Sequence, residues 1–456
     1  MSKTETPPEQ REPEKWAPEI LEAWDLAHVW HPFTQHDEWD ADGPPLIIDR
    51  ADGVYLIDVH GRRYLDGVAS LWTNVHGHNH PRLNEALHQQ IDTLAHSTLL
   101  GLASTPSVTL ARRLSSLVER HLPGSGLSRV FYSDSGSTSV EVALKIAFQY
   151  QQQTGQTKRT RFAAFSGSYH GDTLGSVSVG GIDLFHSIYR PLIFETARLD
   201  VPDRPDPEQE RVCLARAANL FAEEGDGLAA VVFEPLVQGA AGMRMHSPAF
   251  LERLMTMARD AGAVLIADEV ATGFGRTGTM FACEQITARP DLLCLAKGLS
   301  GGYLPLAVTM ATETIFDAFR GPYPQHRTFF HGHTYTGNAL ACAAALANLD
   351  IFESERVLDG VAAREEAMRE ALARMLPEKH VAEVRQKGLM VGIVLKHDRP
   401  AAARVGHRVC LAARQHGVIV RPLGDVVVLM PPLIMTPDQI VSVVGAVMGG
   451  IREVLG

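Results

Sequence analysis

Cysteine is scarce in this sequence, with five in 456 residues: Cys213, Cys283, Cys294, Cys342 and Cys410. They are odd in number, scattered and never spaced CxxC. That excludes a disulfide framework and a zinc site and points to thiols kept reduced. No apolar run approaches the ~20 residues that span a bilayer. The opening stretch MSKTETPPEQREPEKW has no apolar core for a signal peptide, so the expected location is cytoplasmic. Positive charge is also short, since 42 Lys and Arg face 53 Asp and Glu for a net charge of −11. That balance gives no general attraction to nucleic acid or anionic membranes and directs attention to small molecules. A GxxxxGK[ST] phosphate loop is missing too, which excludes a P-loop nucleotide.

What is present is an ordinary globular composition, 45% hydrophobic and 21% charged. The chain is long enough for a large α/β domain with a smaller companion. Residues 1–18 read as a flexible tail. Residues 19–70 read as short extended pieces that join the smaller domain, among them the hairpin meander PPLIIDRADGVYLIDVHGRRYLD. A helix is predicted near 83–95 and another from about 106, capped by Ser104 with Pro106 in its first turn. Short apolar strands at 128–133, 161–165, 229–233, 263–267 and 292–296 then alternate with amphipathic stretches, notably 207–223 and 248–261. Such alternation predicts a mainly parallel sheet flanked by helices. The large domain is expected over 71–334. An alanine-rich helix from about 336 opens a smaller α+β domain over 335–456, which ends in a helix at 436–454.

In open α/β sheets ligands bind beyond the carboxyl ends of the strands. The residues found there are Ser135, Gly136 and Ser137 after the first strand, Glu234 after AAVVF, Asp268 and Glu269 after AVLIA, and Lys297 after LLCLA. The serine-glycine turn opens a helix, whose free N–H groups and dipole suit a phosphate, unless the serines merely cap it. Lys297 is either an exposed lysine at a strand end or a Schiff-base lysine made reactive by desolvation and nearby cations. Asp268 is costly to bury without a cationic partner. A protonated ring nitrogen at ~4 Å would gain roughly 4 kcal/mol at an effective dielectric near 20. That is ~3 pK units, enough to keep a pyridine protonated as an electron sink. GFGRTG (273–278) matches a dinucleotide fingerprint and would imply an oxidoreductase, but its strand ends too early and no capped helix clearly follows. GLSGG (298–302) matches a nucleophile elbow, but Pro305 cuts off the helix an elbow needs. His76, His78 and His80 read as loop histidines and not as a metal site.

SLWTNVHGHNHP, FYSDSGSTSVEVALKIAF, SYHGDTLGSVSVG, FEPLVQGAAGM, LIADEVATGFGRTG, CLAKGLSGGYLPL and FFHGHTYTGNALACAAAL together resemble the successive motifs of the class III aminotransferases. The resemblance runs from about residue 28 to the C-terminal helix. It implies the α/β fold type I of pyridoxal 5′-phosphate enzymes, and a homodimer with its site at the subunit interface. HVWHPFTQ, AHSTLLGLAS and VIVRPLGDVVVLMPPLI are similar to the branch that converts 8-amino-7-oxononanoate to 7,8-diaminononanoate in biotin biosynthesis. A general ω-amine:pyruvate aminotransferase is the alternative within the same fold.

By this resemblance Lys297 holds the cofactor as an internal aldimine and shuttles a proton, Asp268 pairs with the pyridinium nitrogen, and Tyr169 stacks on the ring. Gly136 and Ser137 bind the phosphate, with Thr334 reaching it from the neighbouring subunit. Trp72, Phe33 and Gly332 line the substrate pocket. Arg421 clamps the substrate carboxylate, and Arg276 also falls at a matching position. Glu234 and Gln238 match a motif near the cofactor, without an assigned role. Two half-reactions through one pocket imply ping-pong kinetics. The sequence departs from members that use S-adenosylmethionine, which carry Tyr where this chain has Phe33 and Trp-Trp where it has Leu71-Trp72. A sulfonium donor gains roughly 0.5–2 kcal/mol from each such ring. Phe33 and Leu71 are similar instead to a branch that takes its amine from lysine, so both donors stand.

Overall fold

The computed structural model describes residues 16–41, 43–375 and 378–456. Residues 1–15 of the expected tail lie outside the described residues, and the first helix starts at Pro18. Strands β1 (Ile48–Asp52), β2 (Tyr55–Asp58) and β3 (Arg63–Asp66) form the antiparallel meander read from the sequence. The central strands follow as β4 (Leu127–Ser133), β5 (Arg161–Phe165), β6 (Thr196–Leu199) and β7 (Leu228–Phe233). After a small hairpin of β8 (Val237–Gln238) and β9 (Arg244–Met245) come β10 (Val264–Asp268), β11 (Leu292–Leu295) and β12 (Ala307–Thr312). The C-terminal strands are β13 (Val381–Lys387), β14 (Met390–Leu395), β15 (Val418–Ile419), β16 (Arg421–Leu423) and β17 (Val426–Leu429).

The seven-stranded sheet has the order β4-β12-β11-β10-β7-β5-β6. Strands β6, β5, β7, β10 and β11 pair in parallel. Strand β12 runs against both β11 and β4, so β4 shares the direction of the others. Six carboxyl ends therefore open on one rim. Strands β6 and β12 were not among the strands predicted from the sequence. AVTMAT in β12 is no more apolar than many helical stretches, and its place in the sheet comes from its two neighbours.

Side-chain alternation sorts these strands onto two cores. Phe162, Ala164, Ala230, Val232, Val264 and Ile266 pack on one face beneath Val140, Ala143 and Ile146 of the helix Gly136–Gln153. Ala163, Phe165, Val231, Phe233, Leu265 and Ala267 join the larger core on the opposite face. A sheet buried on both faces needs continuous apolar strands, and all six residues of β7 are buried. The helix Gly136–Gln153 begins at Ser135, whose hydroxyl and the Thr138 side chain form a reciprocal capping box. Ser104 caps the helix Thr105–His121 in the same way through Ser107, with Pro106 in its first turn.

Two further four-stranded sheets complete the architecture, in the orders β1-β2-β3-β15 and β13-β14-β17-β16. β15 lies parallel to β3, so the N-terminal meander is tied to the C-terminal part of the chain. The alanine-rich helix spans Ala339–Ser354 and the last helix Pro437–Leu455. All five cysteines are buried and free. No helix among the described residues is long and apolar enough to cross a membrane.

Candidate active site

The strand ends converge on a cavity of about 780 Å³ lined by Gly136, Ser137, Tyr169, Glu234, Asp268, Lys297 and Trp72, among others. Lys297 follows β11 and has a left-handed backbone, φ 46°. Burial brings its ammonium pKa down from 10.5 to about 8, with Arg276 acting in the same direction and Asp268 and Glu234 opposing. Its Nζ sits 4.5 Å from the ring centroid of Trp72.

Asp268 ends β10 and is buried. His170 Nδ1 lies 2.7 Å from one carboxylate oxygen, and the Val270 N–H donates to the other at 3.0 Å. His170 is itself buried, and its Nε2 has no hydrogen-bond partner among the described residues. The sequence reading passed over His170, although SYHGDT contains it and the residue beside an assigned Tyr169 was a visible signal. Tyr169 donates its hydroxyl to Asp172 at 2.8 Å, and burial with that contact raises the phenol pKa.

Glu234 follows β7 and accepts the Tyr169 N–H at 3.2 Å and the Gly239 N–H at 2.9 Å. Burial raises its pKa to about 7. Gln238 donates to the Ser166 carbonyl at 3.1 Å, and its Oε1 is buried without a partner among the described residues.

At the phosphate end, Ser135 is the cap and satisfies the Thr138 N–H. Gly136 and Ser137 follow it and line the cavity with the first N–H groups of the helix, which have no intrahelical partner. The Ser137 hydroxyl is fixed between the Thr173 hydroxyl at 2.8 Å and the Thr173 N–H at 3.0 Å. Gly171 has φ +116°, and a Cβ there would fall 2.3 Å from Ser137 Cβ. Only glycine lets the 169–173 loop close on the helix end.

Trp72 stands on a strained turn in which Ala69, Ser70 and Trp72 have φ of 48°, 60° and 69°. Such backbone costs roughly 1–3 kcal/mol per residue and needs outside support. Asp66 supplies it by accepting the Ser70 N–H at 2.7 Å and the Val68 N–H at 3.2 Å. His78 Nε2 lies 2.8 Å from Asp66. His80 caps the helix Pro81–Thr93, so two of the three loop histidines have structural partners.

The other predicted site residues stand apart from the cavity. Arg276 is fully buried but outside its lining, and its guanidinium donates to the Pro431 and Met430 carbonyls. Burial lowers its pKa to about 9. Gly332, Thr334 and Arg421 are exposed, and Phe33 is 64% exposed with its ring against Phe185. GFGRTG forms a run of turns after β10 and opens no α-helix, so the arrangement of a dinucleotide fingerprint is missing.

The cavity fits pyridoxal 5′-phosphate on this chain's own geometry. It offers a desolvated amine, a buried carboxylate oriented by His170, and free helix N–H groups closed in by Gly171. The class III aminotransferase family matches residues 38–449. A protein of Nitratidesulfovibrio vulgaris named adenosylmethionine-8-amino-7-oxononanoate aminotransferase is 55% identical, covering 95% of this chain and 82% of that one. The protein of that name from Geobacter sulfurreducens is 46% identical over 96% of this chain and 98% of its own. Among solved structures, the Methanocaldococcus jannaschii enzyme of that name superposes with a TM-score of 0.91 at 39% identity, covering 96% of this chain and all of that one. A PLP-bound amine transaminase from an uncultivated Pseudomonas species gives 0.87 at 35% identity, covering 94% of this chain and 99% of its own. The order of the motifs, the geometry of the strand ends and these relatives agree, and the chain belongs to the class III aminotransferases.

Proposed function

We propose that this protein aminates 8-amino-7-oxononanoate to 7,8-diaminononanoate, a step of biotin biosynthesis, with pyridoxal 5′-phosphate as its cofactor. The observation that carries the chemistry is Lys297 on the cavity floor, its pKa brought to about 8 by burial, beside Asp268 held by His170. The substrate assignment is supported by relatives at 55% and 46% identity that are named for this reaction.

The bound cofactor supplies an electron sink for the pair left behind when a proton leaves the substrate carbon. Gly136 and Ser137 would hold its phosphate at the positive end of their helix. Asp268 would pair with the ring nitrogen, and Tyr169 would cover a ring face. Lys297 Nζ would hold the cofactor by its aldehyde and, freed when a substrate amine takes its place, would carry the proton between the substrate carbon and the cofactor carbon. Trp72 and Tyr169 exclude water above that amine. Arg421 would clamp the substrate carboxylate in a bidentate geometry that lysine cannot copy. Donor and acceptor use one pocket in turn, which gives ping-pong kinetics.

The working unit in this reading is a cytoplasmic homodimer, in which Thr334 of the partner subunit reaches the phosphate. It is supported by the exposure of Thr334 away from its own cavity and by the exposed apolar side chains Trp30, Leu100, Tyr323 and Phe330. A general amine:pyruvate aminotransferase is the second reading, favoured by the likeness to the Pseudomonas amine transaminase.

The test is the visible spectrum of the holoenzyme before and after S-adenosylmethionine, lysine or a simple amine, each added alone. Conversion of the cofactor band by S-adenosylmethionine or by lysine supports the biotin-pathway reading and names the donor. Conversion by simple amines alone moves the second reading ahead.

A further inference from the structure

Four carboxylates line the cavity, and three of them are accounted for. Asp134 is exposed and accepts the Thr138 hydroxyl at 2.9 Å. Asp172 is exposed and accepts the Tyr169 hydroxyl. Asp268 has His170, and its cofactor role follows from that orientation. Glu234 differs from all three. It is 5% exposed, and its two oxygens meet only backbone N–H groups, one from Tyr169 and one from Gly239. No cationic side chain among the described residues pairs with it. Arg276 donates through Nη1 to the Pro431 and Met430 carbonyls and forms no ion pair with Glu234 among the described residues.

The cavity thus holds one buried carboxyl that no cationic side chain among the described residues contacts directly, with His170 acting on it only from a distance, and burial of such a group is costly. Its pKa of about 7 is the protein's partial escape from that cost, because the group can take a proton instead. An incoming cation would remove the cost more fully. Under the reading above, the acceptor carries an amino group one carbon from the reacting ketone. The reacting carbon of that ketone must come within proton-transfer reach of Lys297, whose electrostatic surroundings include Glu234 as well as Asp268. Glu234 and the Trp72 ring flank the same point, since a Cβ on Gly239 would lie 3.1 Å from Trp72 Cζ3 and 3.9 Å from Glu234 Oε2. An ammonium bound beside Gly239 would have the Glu234 carboxylate and the Trp72 ring as neighbours.

We propose that Glu234 is the subsite for the substrate's own ammonium group, and selects ketones that carry an amine on the neighbouring carbon over ketones that lack it. The inference rests on the proposed acceptor and deepens it by naming the group that recognises the 8-amino function. Glu234 binds substrate in this account and takes no part in the proton transfer, which stays with Lys297.

The experiment uses holoenzyme reduced with borohydride, so that neither ligand can react, and measures dissociation constants by calorimetry. The two probes are 8-amino-7-oxononanoate and 7-oxononanoate, which differ only in the amine. Wild type should bind the amino ketone at least about tenfold more tightly, the scale of a hydrogen bond to a charged group. Glu234→Gln should bring the two affinities within about twofold by weakening the amino ketone alone. Glu234→Asp, which keeps the charge on a shorter arm, should fall between. An unchanged cofactor absorption band, together with unchanged binding of 7-oxononanoate, shows that the Tyr169 and Gly239 contacts survive the substitution. In active enzyme the Gln variant should raise KM for the amino ketone and leave kcat within a few-fold.

Equal weakening of both ketones would make Glu234 a purely structural residue and overturn the proposal. A tenfold preference that persists in Glu234→Gln would overturn it as well. If wild type aminates neither ketone, the substrate reading itself fails, an outcome distinct from turnover with an unmoved preference.

Discussion

Lys297, Asp268 and Glu234 follow or end the adjacent strands β11, β10 and β7, whereas Phe33, Gly332, Thr334 and Arg421 lie on loops or a short edge strand and are exposed. Parallel pairing places the first three within one chain: Ile266 is in register with Leu292, and Val264 with Ala230. Hydrogen bonds then fix what the ladder has placed, as with His170 on Asp268 and the Tyr169 and Gly239 N–H groups on Glu234. The outer residues have no such ladder into the cavity. Under the proposed function the proton-transfer chemistry would reside in a floor that one chain completes, and substrate recognition would be shared between Glu234 on that floor and a rim that a second subunit completes.

Breaking the floor should have the largest effect. Lys297→Ala is expected to lower turnover by about 10²–10⁴-fold from lost proton transfer alone, and steady-state kinetics would check it. The same residue sets a pH dependence. A lysine amine attacks only when neutral, so cofactor uptake by cofactor-free protein should be slow below pH 8 and level off above it. The midpoint is expected near the residue's pKa of about 8 and not near 10.5. Following the cofactor absorbance from pH 6 to 10 reads it directly.

On the proposed pairing, Asp268→Asn would remove a charge worth ~3 pK units at the ring nitrogen, and is expected to cost turnover about 10²–10³-fold. His170→Ala leaves that carboxylate present but loosely held, so a smaller loss is expected, with a shifted cofactor absorption band. At the rim, Arg421→Lys should raise KM for the keto acid by about tenfold to hundredfold with a smaller change in kcat, as expected for a lost bidentate contact. The smallest effect belongs to Phe33→Tyr. It should change the ratio of S-adenosylmethionine to lysine use by a few-fold to about thirtyfold, measured by parallel donor assays. A kcat effect at Arg421 as large as that at Lys297 would erase the distinction between floor and rim.

This division also explains what the sequence could reveal. The strands at 128–133, 161–165, 229–233, 263–267 and 292–296 are continuous apolar runs because both of their faces are buried, and each is present within one or two residues. The polar residues after them were therefore legible as a site before any coordinates. Strand β12 was not, because an antiparallel strand inserted between β4 and β11 follows from tertiary pairing and not from its own pattern. His170 and Asp66 were missed for a similar reason. Each acts by a contact across the fold, one on a strand end 98 residues away and the other beneath the strained turn that carries Trp72. Arg276, which its motif position places with substrate, lies buried outside the cavity lining; its Nη1 holds the 430–431 backbone, and its Nε and Nη2 have no partner among the described residues.

The most direct test of the central claim is product analysis by mass spectrometry. Holoenzyme and its Lys297→Ala variant would each be incubated with 8-amino-7-oxononanoate and either S-adenosylmethionine or lysine. The expected result is 7,8-diaminononanoate from the wild-type protein with at least one donor, and at least about a hundredfold less from the variant in the same time. Unchanged 8-amino-7-oxononanoate with both donors, alongside amination of pyruvate by simple amines, would contradict it.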